Sequence, residues 1–96
     1  MKIKEIDDNY LADYLKIDDP GPYEMKNANA AFEAAKSYVK NQTGIEDEAL
    51  NSKDDLAIAV LILTEDMYDN RRYYVDTEKL NQVVEGIIYQ YSENLL

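Results

Sequence analysis

Residues 52–75 read SKDDLAIAVLILTEDMYDNRRYYV, and the fold of the chain depends chiefly on this stretch. Its first half holds eight consecutive apolar residues at positions 56–63, and its second half is polar, rich in tyrosine and contains both arginines. An amphipathic surface helix carries an apolar stripe on one side only. An element that is apolar all round needs cover all round, so we expect the other helices, and in part a second copy or a partner, to supply that cover.

The period of the apolar run fits two kinds of structure. Every second residue of positions 56–62 is a large aliphatic one, as in a buried strand. Three observations favour a helix. Ser52 and Asp55 have the spacing of a capping box, Ala57 and Ala59 are strong helix formers, and neither glycine nor proline occurs between Ile45 and Glu85. We therefore predict a helix over residues 53–70.

Upstream of this helix the sequence predicts two further helices. Apolar residues at positions 10, 11, 14 and 15 indicate a short first helix over residues 10–17, with Asp7 or Asp8 as its cap. Two prolines and a glycine at positions 20–22 end it. Pro22 suits the first turn of a second helix, whose apolar seam at positions 25, 28, 32, 35 and 39 continues until Gly44 stops it. The acidic residues 45–51 are predicted to be a loop.

Downstream, residues 71–76 break the helical pattern. Tyr73, Tyr74 and Val75 favour β structure, so we predict a loop or short extended arm here. Asp76 or Thr77 is the predicted cap of a last helix, which carries apolar residues at positions 80, 83, 84, 87, 88 and 91. The chain is thus predicted to be one all-α domain over residues 1–96, a small bundle of about four helices with a short first helix.

Composition limits the chemistry of this chain. It has no histidine and no cysteine, which excludes a disulfide framework and thiolate metal sites and leaves carboxylates, tyrosine, lysine and Ser/Thr for any catalysis. We therefore predict no enzyme, no catalytic residues, no cofactor and no metal. The net charge of −10 repels phosphate, which disfavours ordinary nucleic-acid binding. The charge fits simple solubility, a passage for DNA that does not bind it, or mimicry of DNA.

No apolar run approaches the roughly 18 residues of a membrane span, and the first eight residues lack the apolar core of a signal peptide. We expect a cytosolic protein without membrane association. Tyrosine is the unusual residue, with nine tyrosines against one phenylalanine. Its apolar ring and polar tip suit both the edge of a small core and a protein interface.

Four pieces of the chain, in order, resemble a known family. They are residues 8–19, with YLKID near their end; residues 31–44, which close on Thr-Gly; residues 55–71, which end in MYDNR; and an apolar last helix after a tyrosine-containing loop. Together they resemble the small head–tail connector (adaptor) proteins of tailed double-stranded DNA phages and prophages. The likeness covers nearly the whole chain, and the order of the four pieces is more specific than any one of them.

The resemblance implies a structural virion protein without enzymatic activity. Such a protein forms an oligomeric ring of identical subunits between the portal protein and a neck or tail-completion protein, and the ring extends the DNA channel. Its expected location is the neck of the virion, and the host cytoplasm during assembly. Carried over to this sequence, the resemblance implies a partner interface at Met67, Tyr68, Arg71, Arg72, Tyr73, Tyr74 and Val75.

A second function stays open beside the connector. A small acidic protein of phage character could mimic DNA and inhibit a nucleic-acid-binding protein of the host, and the net charge of −10 fits that role. The acidic residues, however, spread over all the predicted helices and do not form two evenly spaced rows.

Overall fold

Residues 1–94, whose backbone the structure describes, fold into helices, turns and irregular segments. The computed structural model describes the backbone of residues 1–94 and the side chains of residues 1–91, and the part so described contains no strand. This confirms the all-α prediction and excludes a buried strand at positions 56–63. Five α-helices are present: α1 (Asp8–Tyr14), α2 (Pro22–Thr43), α3 (Asp47–Ser52), α4 (Asp54–Asp69) and α5 (Gln82–Asn94); short 3-10 turns lie at Ile3–Glu5 and Thr77–Lys79.

Helix α4 is the centre of the molecule. Six of the eight residues in its apolar run are buried, and Ile62 is half-buried against the core. Ile58 is the exception, with 50% of its surface exposed. A single subunit therefore supplies most of the cover that the apolar run needs. None of the helices in the described part of the chain has the length and hydropathy to span a membrane.

Helix α2 provides the most extensive cover for α4. Small residues permit the two helices to approach closely: Ala28, Ala31 and Ala35 of α2 are fully buried, as are Ala57 and Ala59 of α4. The short connection through α3 makes α2 and α4 antiparallel neighbours, as short loops do in helix bundles. The start of α2 is thereby brought to the end of α4.

Helix α5 closes a second side of α4 and runs antiparallel to it. At one end the Tyr91 hydroxyl donates a hydrogen bond of 2.6 Å to Asp55 Oδ1 at the start of α4. At the other end Leu80 and Asn81, just before α5, lie beside the last turn of α4. Val84 and Ile88 form the buried stripe of α5.

Several predicted helix boundaries are confirmed. Asp7 caps α1, because its Oδ1 accepts a 2.8 Å hydrogen bond from the N–H of Tyr10. Pro22 occupies the first turn of α2, and Gly44 ends that helix in the left-handed region with φ of 72°. Helix α1 ends at Tyr14, three residues before the predicted end, because Lys16 turns the chain with φ of 60°.

The prediction of a loop over residues 45–51 was wrong. Residues Asp47–Ser52 form the short helix α3, whose Leu50 is buried in the core beside the N-terminal turn that carries buried Ile3. Asp47 also forms a 2.8 Å ion pair with Lys40 of α2. The burial of Leu50 and the ion pair of Asp47 thus stabilise a helix in this acidic segment. These tertiary contacts outweigh a composition that is typical of a solvent-exposed loop.

The predicted capping box at Ser52 was also wrong, because Ser52 belongs to α3. Its hydroxyl donates to the Ala49 carbonyl, and Lys53 precedes α4 without a side-chain cap. Asp76 caps the short turn at Thr77–Lys79. Helix α5 begins later than predicted, with Asn81 Oδ1 accepting from the N–H of Val83 at 2.8 Å.

Val83 of α5 differs from the predicted amphipathic pattern, because it is exposed and not on the core face. Glycine at position 86 costs a helix about 1 kcal/mol relative to alanine. A Cβ placed there would meet no atom within 4 Å beyond the neighbouring backbone of its own helix, so the packing does not require glycine.

Truncation of the central helix tests the packing around α4. We expect Leu56→Ala to lower the free energy of unfolding by about 2–5 kcal/mol, because the side chain is fully buried and its loss leaves a cavity. Ile58→Ala, two positions away and half exposed, should cost about 1 kcal/mol or less. Urea denaturation followed by circular dichroism measures both. Equal losses in the two variants would contradict the arrangement described.

The hydrogen bond between Tyr91 and Asp55 makes the free energy of unfolding depend on pH in the alkaline range. Burial, followed by the hydrogen bond to Asp55, raises the pKa of Tyr91 from 10.0 to about 12. Its contribution is therefore complete below pH 10 and is lost as the pH rises from 10 through 12. We expect Tyr91→Phe to cost about 1 kcal/mol at pH 8 and to reduce this alkaline loss.

Denaturation at a series of pH values, with Tyr89→Phe as the matched control, measures this effect. Tyr89 is an exposed tyrosine of the same helix. A Tyr91→Phe profile that runs parallel to the wild type between pH 8 and 12 would exclude the role given to this bond.

Candidate partner interface

The predicted partner interface begins where α4 ends. Asn70 is the last residue before the turn, and Arg71 follows in the left-handed region with φ of 53°. The Arg71 N–H donates to the Tyr68 carbonyl at 3.2 Å, and the Arg72 N–H donates to the Met67 carbonyl at 3.1 Å. These two bonds form a Schellman motif, in which glycine is the usual residue at the position of Arg71.

A non-glycine residue in this conformation costs about 1–2 kcal/mol. Backbone strain of this kind is typical of functional positions. The left-handed backbone therefore makes Arg71 a candidate functional residue.

The Arg71 side chain lies among tyrosines. Its guanidinium carbon is 4.2 Å from the centre of the Tyr68 ring, and its Nη1 donates a 2.9 Å hydrogen bond to the Tyr68 carbonyl. Its pKa is raised, chiefly by side-chain hydrogen bonding with Tyr68; burial opposes this, and electrostatic interactions with Tyr68, Tyr73 and Tyr23 add to it. Arg71 is therefore a permanent positive charge in an aromatic setting.

Arg72 holds the loop that follows. Its Nη2 forms a 2.7 Å ion pair with Asp66 Oδ2, and its guanidinium carbon lies 5.7 Å from the centre of the Tyr74 ring. Its side chain is only 18% exposed. Nη1 of the same guanidinium is buried without an acceptor in the described part of the chain. Arg72 thus ties residues 72–74 to the side of α4.

Three tyrosines stand out on this end of the molecule. Tyr23 is 75% exposed, Tyr74 65% and Tyr73 40%. Tyr23 comes from the first turn of α2, whereas the other two come from the loop after α4. We call the set Tyr23, Arg71, Tyr73 and Tyr74 the Tyr–Arg surface.

The structure separates the seven predicted interface residues into three groups. Arg71, Tyr73 and Tyr74 are exposed, and Arg72 and Val75 are partly covered. Met67 and Tyr68 correct the prediction, because both are buried in the core of the subunit and present no free surface. They lie on the side of α4 that the other helices cover, and Tyr68 supplies the ring beneath Arg71.

Tyr23 is a surface residue that the sequence prediction missed. It is 48 residues from Arg71 along the chain, and no local pattern connects the two. The sequence contained only an indirect indication that Tyr23 lies near Arg71. A short connection between two long helices makes them antiparallel, and this brings the start of one helix to the end of the other.

The Tyr–Arg surface consists of residue types that are common in protein–protein interfaces. Tyrosine and arginine are enriched at interface hot spots, because both present large contact areas together with polar groups. Tyrosine also loses little conformational entropy when it is fixed. Exposed tyrosines around a fixed positive charge would suit a partner that offers apolar grooves with carboxylate or carbonyl acceptors.

Metal-ligating side chains are not clustered in the part of the chain that the structure describes. That part contains no group of three or more acidic side chains placed to hold a metal ion. Neither a scan against protein-family models nor searches of the curated proteins and of the solved structures find a match to this chain. A function must therefore be argued from the chain's own sequence and geometry.

The strained arginine can be tested by two substitutions at one position. Arg71→Ala removes the stacking on Tyr68 but keeps the left-handed backbone, whereas Arg71→Gly removes both the stacking and the strain. We expect the glycine variant to be more stable than the alanine variant by about 1 kcal/mol. Thermal and urea denaturation of the two variants measure the difference. Equal stability would show that the backbone at position 71 is not strained in solution.

Proposed function

We propose that this protein is a head–tail connector of a tailed double-stranded DNA phage or prophage. The observation that carries the proposal is the ordered set of four sequence pieces that resemble this family over nearly the whole chain. In this role the chain forms a homo-oligomeric ring between the portal protein and a neck or tail-completion protein.

The positions of the motifs in the fold support this proposal. YLKID spans the left-handed turn that ends α1, Thr-Gly ends α2, and MYDNR ends α4 in the Schellman motif. All three are helix terminations, which direct the path of the chain. Residues with that role are the ones that proteins of the same fold would be expected to share.

The exposed surfaces suit a ring with an axial partner. A closed ring needs two different contact surfaces on each subunit, because its interfaces are heterologous. The Tyr–Arg surface is the best candidate for contact with the next virion component. Ile58 of α4 and Val83 of α5 are exposed apolar side chains outside that surface, available for contact between subunits.

The charge of the chain suits a component of a DNA channel. Each subunit carries 20 acidic against 10 basic residues, so a ring of identical subunits multiplies a net charge of −10. A wall of that sign repels the phosphates of a passing duplex, most strongly within a Debye length of about 8 Å at physiological salt. Repulsion of this kind lets DNA pass without adhering.

Assembly of phage particles tests the proposal. We expect purified virions to contain this protein at the stoichiometry of a ring. Particles assembled with Tyr74→Ala should contain the oligomeric ring of this protein but should join tails poorly. The reason is that the exposed aromatic side chain of Tyr74 is lost from the Tyr–Arg surface. Quantitative mass spectrometry of the particles and electron microscopy of tail attachment measure the two effects.

Tyr89→Ala is the matched control, since Tyr89 is equally exposed but lies on α5 outside the Tyr–Arg surface. Tail joining should remain normal in that variant. A similar defect in both variants would reject the surface assigned to the next component. Absence of the protein from virions, together with capture of a host nuclease or polymerase from lysate, would reject the connector and favour the DNA mimic.

A further inference from the structure

A cleft of about 300 Å³ lies next to the Tyr–Arg surface, between the last two turns of α4 and residues 75–81. Its apolar lining includes Ile62, Val75 and Leu80, three half-buried side chains that also pack against the core. Asn70 and Val75, on either side of the loop held by Arg72, both line the cleft. We call this feature the acidic cleft, for the residues at its rim.

The rim carries four carboxylates and one basic side chain. Glu65, Asp66, Asp69 and Asp76 supply the negative charges, and Lys79 is the basic residue of the lining. Asp66 is neutralised in part by its ion pair with Arg72. The remaining carboxylates give a negative charge to a cleft whose lining is partly polar and partly aliphatic.

Asp69 lies in the last turn of α4, which has no basic residue, and none of the ion pairs among the described residues includes it. Asp66 shares that turn but pairs with Arg72, and Glu65 precedes it. The helix dipole is negative at this end and therefore disfavours carboxylates. Glu65 and Asp69 are four residues apart, where like charges repel. Charges placed against the helix dipole indicate a role in binding a positive partner, since local rules are broken mainly at functional sites.

The geometry favours a peptide over a metal ion. The described acidic residues form no group of three that could coordinate a metal. The volume is at the lower end of the roughly 300–1,000 Å³ typical of ligand sites, so the cleft can admit one or two side chains. Its apolar lining would contact aliphatic carbons, which a metal ion does not offer.

We propose that the acidic cleft binds a segment of a partner protein in which arginine or lysine alternates with an aliphatic side chain. The aliphatic group fills the space between Ile62, Val75 and Leu80, and the basic groups pair with Asp69 and Asp76 at the rim. The stems of arginine and lysine also cover apolar surface while their charges stay at the water boundary. Charge complementarity and the apolar lining together select this chemistry.

This inference extends the proposed function, because it gives the chemistry of a segment that the next virion component would present. It is tested on the purified protein, without any phage component. A failure here leaves the connector proposal standing, and a failure of the connector proposal leaves peptide binding by the cleft intact.

The binding test uses a fluorescein-labelled peptide, Gly-Leu-Arg-Leu-Arg-Leu-Gly, and measures fluorescence anisotropy at two salt concentrations. We expect saturable binding that weakens with salt. A peptide with serine in place of leucine should bind more weakly, and one with glutamate in place of arginine should not bind. Amide chemical shifts should change at residues 62–81.

The decisive variant is Asp69→Asn combined with Asp76→Asn, which removes two rim charges and keeps the side-chain shapes. Its Kd for the leucine–arginine peptide should rise about tenfold. The control is Glu46→Gln combined with Glu48→Gln, which changes the net charge equally at the opposite end of α4 and should change the Kd by about twofold or less.

Stability gives an independent measurement. Asp69→Asn should raise the melting temperature, because it removes a carboxylate from the negative end of α4. The control pair lies at the start of α3, where the dipole favours acidic residues, and its melting temperature should fall.

Four results would overturn the inference, and the first three concern the peptide and the variants. They are equal weakening by the rim and control pairs, equal binding of the serine and leucine peptides, and a lower melting temperature for Asp69→Asn. Calcium that binds at micromolar concentration and perturbs the same amides would also overturn it, in favour of a cation site.

Discussion

The burial of α4 on nearly every side is the constraint on which the rest of the structure depends. A helix with eight consecutive apolar residues has no side that water tolerates, and a chain of 96 residues has few elements to place around it. Helices α2 and α5 meet this need by packing antiparallel against α4, and the N-terminal turn and α3 cover what remains near its start. Within the apolar run Ile58 is half exposed and Ile62 is partly buried, and the other six residues are buried.

The antiparallel arrangement has a consequence for function, because it gathers unlike residues at one end of the molecule. The start of α2 brings Tyr23 to the strained turn at Arg71, and the segment before α5 brings Leu80 to the acidic end of α4. The left-handed backbone of Arg71 and the unpaired carboxylate of Asp69 both depart from the local preferences of a helix end. Both lie at the end of the molecule for which partner binding is proposed.

The elements with strong periodicity were predictable from sequence. The seam of α2, its proline start and its glycine stop follow from the period and from two residues with special backbones. Short segments and helix caps were predicted less accurately than the long helices. Helix α3 lacks a periodic signal of its own and forms because Leu50 reaches the core and Asp47 pairs with Lys40. Ser52 has the spacing of a cap for α4, but the presence of α3 gives its hydroxyl another acceptor.

The sequence by itself determined that this chain is a helical domain built around one apolar helix, since hydrophobic periodicity and helix breakers act locally. It also placed Arg71, Tyr73 and Tyr74 outside regular structure. Only the tertiary structure decided which residues of this region are free to meet a partner. It buried Met67 and Tyr68, brought exposed Tyr23 to the same end as Arg71, and gathered carboxylates and aliphatic side chains around one cleft. These properties depend on contacts between residues that are distant in sequence, and the local pattern of the chain does not record them.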